Sequence, residues 1–228
     1  MLPSMSFLDD LKKQAGSLQA RQDDGDRTLG RNTQLVEAAA QATRLYLMEL
    51  AAQLEVIRPA PPVRYALDRR VVLERLPRAD FRFDARRKIL REQEVLDYVF
   101  IACTVKSDRA VQIGKDFVNE IEGLERRLEQ AVITFERQPL RQAENGKLIE
   151  MRYAFVADVQ VSTRVICQHD RGTLEFALRN LDGLETVDCE FAAHQVNQAR
   201  LDELARWWVG EPNRFTEGAL GLRRTEAR

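Results

Sequence analysis

Basic residues are concentrated in one segment of this chain, residues 58–91. The segment holds eleven Lys or Arg and four Asp or Glu, a local charge of +7, whereas the 228-residue chain as a whole has a net charge of −1. A guanidinium group binds phosphate oxygens through two parallel hydrogen bonds, so an arginine-lined surface suits nucleic acid or another phosphorylated ligand. This segment therefore carries the strongest indication of a binding function.

Two predicted strands carry the candidate residues of this segment. Arg82, Arg86 and Lys88 share the even-numbered face of a strand at about 80–90, and Arg64 lies in the strand before it. We interpret these four residues as candidate anion-binding residues. The structural alternative is that they pair with the acidic surplus elsewhere or protect an edge strand from aggregation. No aromatic residue interleaves on this basic face, which disfavours single-stranded nucleic acid in particular.

Four residues near the end of the chain have the types of zinc ligands: Cys167, His169, Cys189 and His194. The predicted strand register separates them, because His169 and Cys189 fall two strands apart and His194 falls on the opposite face. Zinc requires every ligand within about 2.3 Å of one point. We therefore expect no metal site and three reduced cysteines.

A catalytic site is no better supported by the sequence than a metal site. The best nucleophile and base set is Cys167 or Cys189 with His169 and Asp170, but His169 and Asp170 are adjacent and point to opposite faces of a continuing strand. The chain has no GxGxxG and no GxxxxGK[ST], so the usual nucleotide phosphate loops are absent. We assign no catalytic residue and expect no cofactor, and the sequence favours a protein that is not an enzyme.

Residues 148–169 define the sheet that must position any site. Every odd position from Ile149 to Val161 is apolar, which is typical of a strand with one buried face. The run is about 70 Å long when flat, so we expect it to break near Ser162–Arg164. Apolar residues also alternate in the two strands after it, at about 173–180 and 184–194. Paired residues share a face of the sheet, so the buried odd-numbered residues of one strand must lie opposite buried even-numbered residues of the next. Two-residue turns at Arg171–Gly172 and Leu181–Asp182, or turns with two more residues, satisfy this condition.

A long helix at about 33–57 presents a core stripe close to 3.6 residues in period. Its consecutive apolar residues 45–48 point all around the helix, which indicates burial either inside the fold or in a dimer interface. Leu47 and Met48 are our candidate interface residues on the second interpretation. Trp207, next to the predicted core residue Trp208 on the last helix, is the third candidate.

These elements predict an α+β fold in the order α-α-βββ-α-βββ-α. A curved antiparallel sheet of about six strands is packed by helices, and a helical extension precedes it. We expect an N-terminal amphipathic helix and polar linker at 1–31, one domain at 32–215 and a flexible tail at 216–228.

The expected function is that of a non-catalytic cytoplasmic binding or adaptor protein. It acts through protein–protein contacts, with self-association or another protein as its partner. Binding of nucleic acid or another phosphorylated ligand through the arginine-rich strands at 64–91 is the alternative. An apolar small-molecule cavity or an unrecognised enzyme is a third possibility. The longest apolar run has eight residues, so we expect no membrane span.

Overall fold

The computed structural model describes residues 7–227, except for the side chains of residues 7–10, 20, 21 and 23. The helices in this range are α1 (Phe7–Ile57), α2 (Val118–Gln130) and α3 (Gln198–Val209), with a 3-10 turn at Ala193–Gln195. The strands are β1 (Arg64–Ala66), β2 (Val72–Glu74), β3 (Arg78–Leu90), β4 (Gln93–Val105), β5 (Ala110–Lys115), β6 (Phe135–Arg141), β7 (Leu148–Val156), β8 (Val159–Gln168), β9 (Thr173–Arg179), β10 (Glu185–Ala192) and β11 (Gly221–Glu226).

The strands form three antiparallel sheets. The largest has six strands in the order β11-β10-β9-β8-β4-β3, a second has the order β5-β7-β6, and β1 pairs with β2. The α+β class and the six-stranded antiparallel sheet predicted from the sequence are therefore confirmed.

One face of the six-stranded sheet packs against α1 and α3. Leu47 and Leu54 of α1 are buried on this face together with alternate residues of the strands. Trp208 of α3 is fully buried, and its ring nitrogen donates a hydrogen bond to Thr163 Oγ1 at 3.2 Å. Its ring lies 5.9 Å from that of Phe81 in β3. The other face of the sheet is partly exposed, and we call it the open face.

The long apolar run does break, but not at Ser162–Arg164, which lies inside β8. The break falls at Ala157–Asp158, so β7 belongs to the small sheet and β8 to the large one. Asp158 Oδ1 accepts the backbone N–H groups of Ser107 at 2.8 Å and Asp108 at 3.1 Å. At the kink, the carboxylate thus binds the chain that connects β4 to β5.

The predicted parity of the last strands is confirmed. Val165 lies opposite Phe176, and Phe176 lies opposite Cys189, so odd residues meet even ones on a common buried face. The turns are longer than two residues, because Gln168 pairs with Thr173 and Arg179 with Thr186.

Two expectations about the ends of the chain are wrong. Residues 22–31 are helical rather than a linker, which makes α1 one helix of 51 residues. These residues include no proline, and their polar side chains are compatible with a helix. The expected flexible tail instead contains β11, which pairs with β10 and places Arg223 within 2.8 Å of Asp188. Residues 1–6 and 228 lie outside the described residues.

A buried guanidinium connects three parts of the fold. Arg78 is fully buried and donates hydrogen bonds to the carbonyl of Trp208, to the carbonyl of Leu181 at 2.7 Å and to the hydroxyl of Tyr65 at 3.3 Å. No described carboxylate forms an ion pair with it. The carbonyl of Trp208 belongs to the last turn of α3, where helix carbonyls lack partners and the helix dipole is negative. The end of α3 therefore supplies partial negative charge to Arg78.

We predict that Arg78→Met lowers the free energy of unfolding by about 3 kcal/mol, because three buried oxygen atoms lose their donors at about 1 kcal/mol or more each. Arg78→Lys should recover little of this loss, because one ammonium does not reach three divergent acceptors as a guanidinium does. Urea unfolding measures both effects. The exposed Arg82→Met is the control and should change stability by less than about 0.5 kcal/mol. A neutral Arg78→Met would contradict this account.

The end of α2 stores backbone strain. The N–H of Ile133 bonds to the carbonyl of Leu128 and the N–H of Val132 bonds to that of Glu129, the two bonds of a Schellman motif. This motif needs a left-handed residue, usually Gly, but Val132 occupies the position with φ of 58°. A β-branched residue in this conformation is unfavourable by more than the 1–2 kcal/mol of an ordinary residue.

We predict that Val132→Gly raises the free energy of unfolding by about 1 kcal/mol, because the relieved strain exceeds the extra backbone entropy of glycine. Val132 is 48% exposed, so little apolar burial is lost. Denaturant unfolding is the measurement. Glu122→Gly, on an exposed position inside the same helix, should instead destabilise by about 1 kcal/mol. Destabilisation by both changes would show that the strain at Val132 is small.

Candidate functional site

The predicted anion-binding residues of β3 lie on the open face, at the edge of the six-stranded sheet. Lys88 forms an ion pair with Asp97 at 2.8 Å, and Arg82 donates to the amide oxygen of Gln160 at 3.0 Å. Arg86 lies in a row across the sheet that also carries Glu175. The surface around these residues therefore carries mixed charge, which suits a solvated edge strand at least as well as a phosphate site.

The remaining candidate, Arg64, is not brought together with these three. It lies in β1, in a separate sheet, and forms an exposed ion pair with Glu74 at 3.0 Å. It also lines a cavity on that side of the molecule.

Other basic residues of the segment hold the fold together. Arg87 pairs with Glu37 of α1 at 3.2 Å, and a second oxygen of Glu37 accepts the N–H of Leu96 at 2.8 Å. Arg91 forms an ion pair with Asp170. These contacts attach the β3–β4 hairpin to α1 and to the β8–β9 turn.

A different group of basic residues surrounds two adjoining cavities beside α2. The cavity volumes are about 500 Å³ and about 550 Å³. We call this region the basic cleft and define it by six residues: Arg69, Arg70, Arg109, Lys115, Arg126 and Arg127. Two of them belong to the arginine-rich segment, and Arg64 of that segment, which is paired with Glu74, also lines the cavity of about 550 Å³. The other four lie 18 or more residues further along the chain and meet Arg69 only through the fold, so a count of charge along the sequence does not group them with it.

The predicted interface residues have different environments. Leu47 is fully buried in the core, and Trp207 is 7% exposed beneath Phe215 and Arg224. Neither side chain is available to a partner in this fold, because α1 turns Leu47 towards the sheet and the segment after α3 covers Trp207. Met48 is 44% exposed and is the one candidate of the three at the surface.

The first part of α1 extends beyond the domain. Every described side chain from residue 11 to residue 28 is exposed, and contact with the domain begins near Asn32, whose amide donates to the carbonyl of Asp170. We call residues 7–28 the projecting segment. At 1.5 Å per residue it is about 33 Å long. Its exposed side chains include Leu11 and Leu18, at 46% and 64% exposure.

The cysteine and histidine candidates do not form a reactive group. His169 is buried and donates from Nε2 to the carbonyl of Leu96 at 2.7 Å, while Asp170 pairs with Arg91. Burial raises the pKa of Cys103, Cys167 and Cys189 to about 12 each. These thiols therefore behave as small apolar core residues.

The described residues contain no group of three or more His, Cys, Asp or Glu that could hold a metal ion. No helix among them is both long enough and apolar enough to cross a membrane. Comparisons with protein-family models, with curated proteins and with solved structures found no match. The chemistry of the described side chains is therefore the basis for any function.

We predict that none of the three cysteines reacts with a thiol reagent at pH 8 while the protein is folded. A pKa of about 12 leaves roughly one thiol in 10⁴ ionised at this pH, and burial excludes the reagent. A thiol reagent that releases a coloured product measures this, and the absorbance of that product should show three reactive thiols per chain once the protein is unfolded in denaturant. Fast modification of one thiol in the native protein would identify a reactive cysteine and contradict this reading.

Proposed function

We propose that this protein is a non-catalytic binding or adaptor protein that acts through protein–protein contacts, and that the projecting segment of α1 is its contact element. The observation that carries the proposal is a helical segment of about 33 Å whose described side chains are all exposed, Leu11 and Leu18 among them. The proposal includes a cytoplasmic location, with which three free cysteines are consistent.

The projecting segment needs a partner for stability. It contains Gly16 and Gly25, each about 1 kcal/mol less favourable in a helix than alanine. Helices in proteins gain most of their stability from a packed apolar face, and every described side chain from residue 11 to residue 28 is exposed. A partner packed against Leu11 and Leu18 would supply such a face.

The spacing along the segment favours another helix as the partner. Positions 11, 15, 18, 22 and 25 of the segment, with position 29 just after it, alternate in steps of four and three, the heptad spacing of a coiled coil. Four of these six positions are Leu or Ala. Gln22 and Gly25 interrupt the seam, which favours a weak and reversible coiled coil.

We take a second copy of the chain as this partner, because it presents the same heptad spacing on an identical helix. Asp9 and Asp10 precede Lys12 and Lys13, so the charges at this end of the segment balance, and both orientations of the two helices are compatible with them.

We predict that the wild type dimerises in sedimentation experiments at concentrations up to about 50 μM. Leu11→Glu with Leu18→Glu should leave a folded monomer, because two charges enter the apolar seam. Ser17→Glu with Thr28→Glu adds the same charge to exposed positions off the seam and is the matched control.

Three outcomes decide the proposal. A dimer that is lost only with the leucine changes supports it. A wild type that remains monomeric over the whole concentration range overturns self-association through this segment. A dimer that survives both pairs of changes assigns the interface to another surface, such as the one near Met48.

The alternative function, binding of a phosphorylated ligand, receives no support from the environment of Arg82, Arg86 and Lys88. The basic cleft provides a better basis for it.

A further inference from the structure

The basic cleft is built by four separate parts of the fold. Arg69 and Arg70 lie in the turn between β1 and β2, Arg109 lies in the connection between β4 and β5, and Arg126 and Arg127 lie on α2. Lys115 ends β5 and lines both cavities. Residues from several elements that converge on one concave surface are the usual arrangement of a small-molecule site.

A buried ion pair organises the wall shared by the two cavities. Lys115 Nζ lies 2.8 Å from Asp68 Oδ2, and these side chains are 13% and 4% exposed. The other carboxylate oxygen of Asp68 accepts the N–H of Arg70 at 3.1 Å. Although burial opposes ionisation, the hydrogen bonds from Lys115 and from Arg70 lower the pKa of Asp68. The Asp68 carboxylate thus holds the arginine-bearing turn in place.

Positive charge is left over after this pairing. The acidic residues that line the cleft are Asp68 and Glu120. Asp68 is neutralised by Lys115, and Glu120 lies 3.9 Å from the same ammonium. The guanidinium groups of Arg69, Arg70 and Arg109 have no hydrogen bond or ion pair with any described residue.

The two arginines of α2 are partly anchored. Arg127 donates from Nε to the carbonyl of Leu67 at 2.9 Å, and Arg126 donates from Nε to the carbonyl of Glu122 at 3.3 Å. These bonds engage backbone oxygen atoms and leave both positive charges without a carboxylate. The cleft therefore has five guanidinium groups without a carboxylate partner, and its six basic residues exceed the two lining acids, Asp68 and Glu120, by four charges. This excess contrasts with the mixed charge of the open face.

We propose that the basic cleft binds a small anion that carries two or more phosphate groups. Guanidinium groups bind phosphate oxygens bidentately, and each of the adjoining cavities offers several of them. Volumes of about 500 Å³ and 550 Å³ lie within the range of small-molecule sites. A concave surface suits a compact anion better than the rod-like backbone of duplex nucleic acid.

Calorimetric titration with sodium tripolyphosphate tests the proposal. In buffer with about 25 mM salt, the full-length chain should bind one tripolyphosphate with a Kd below about 100 μM. Inorganic phosphate should bind at least about tenfold more weakly, because it occupies one cavity only. ATP and a short DNA duplex complete the set of ligands and distinguish a free polyphosphate from a nucleotide and from nucleic acid.

Two charge-matched variants localise the binding. Arg69→Gln with Arg70→Gln and Arg109→Gln should weaken tripolyphosphate binding at least about tenfold. Arg82→Gln with Arg86→Gln and Arg164→Gln removes the same three charges from the open face and should change the Kd less than about twofold. Thermal unfolding confirms that both variants are folded.

Four results would overturn the proposal. These are no binding of tripolyphosphate by the wild type up to about 1 mM, equal weakening in both variants, unchanged binding in the cleft variant, and tighter cleft-dependent binding of the duplex than of tripolyphosphate. The outcome is independent of self-association, because the cleft residues lie outside the projecting segment.

Discussion

The burial of Arg78 without an acidic partner is the constraint on which much of the architecture depends. A guanidinium retains its charge in the interior, so the surrounding fold must supply oxygen atoms in fixed positions. Those atoms come from Tyr65 in β1, from Leu181 after β9 and from Trp208 at the end of α3. None of these elements is adjacent to another in sequence, and the guanidinium fixes their mutual distances.

The same contact explains how α3 ends. Gly210 adopts φ of 79° at the C-cap, and a Cβ atom at this position would lie 2.4 Å from Pro61. The helix terminus therefore approaches the proline-rich chain before β1 so closely that only glycine fits. This close approach brings the last carbonyls of α3 within reach of Arg78. The glycine and the buried arginine thus form one structural unit, although 132 residues separate them.

The sequence was sufficient for features that depend on local pattern. The alternation around Val165, Phe176 and Cys189 identified the buried face of three strands, because side-chain parity follows directly from strand geometry. It was not sufficient for features that depend on contacts distant in sequence. The kink at Asp158 was misplaced because the backbone groups that Asp158 binds, at Ser107 and Asp108, lie about fifty residues away. Residues 22–31 have the polar residues and the two glycines of a linker, but they contain no proline and continue the helix.

Charge was the most misleading local signal, because neighbouring arginines have separate roles. Arg78 is a buried structural residue, Arg87 ties β3 to α1, and Arg69 faces an open cavity. Counting charge along the chain treats these three as one surface, whereas the fold directs them to three different places. The large sheet ends at Val105 of β4, before Arg109, and Lys115 at the end of β5 lies beside Asp68 of the β1–β2 turn. An excess of positive charge at the cleft is therefore a product of topology.

A protein gains no stability from five guanidinium groups that line two adjoining cavities without carboxylate partners, since like charges repel. Packing does not explain why the cleft keeps these positive charges, whereas an anionic ligand that neutralises them does.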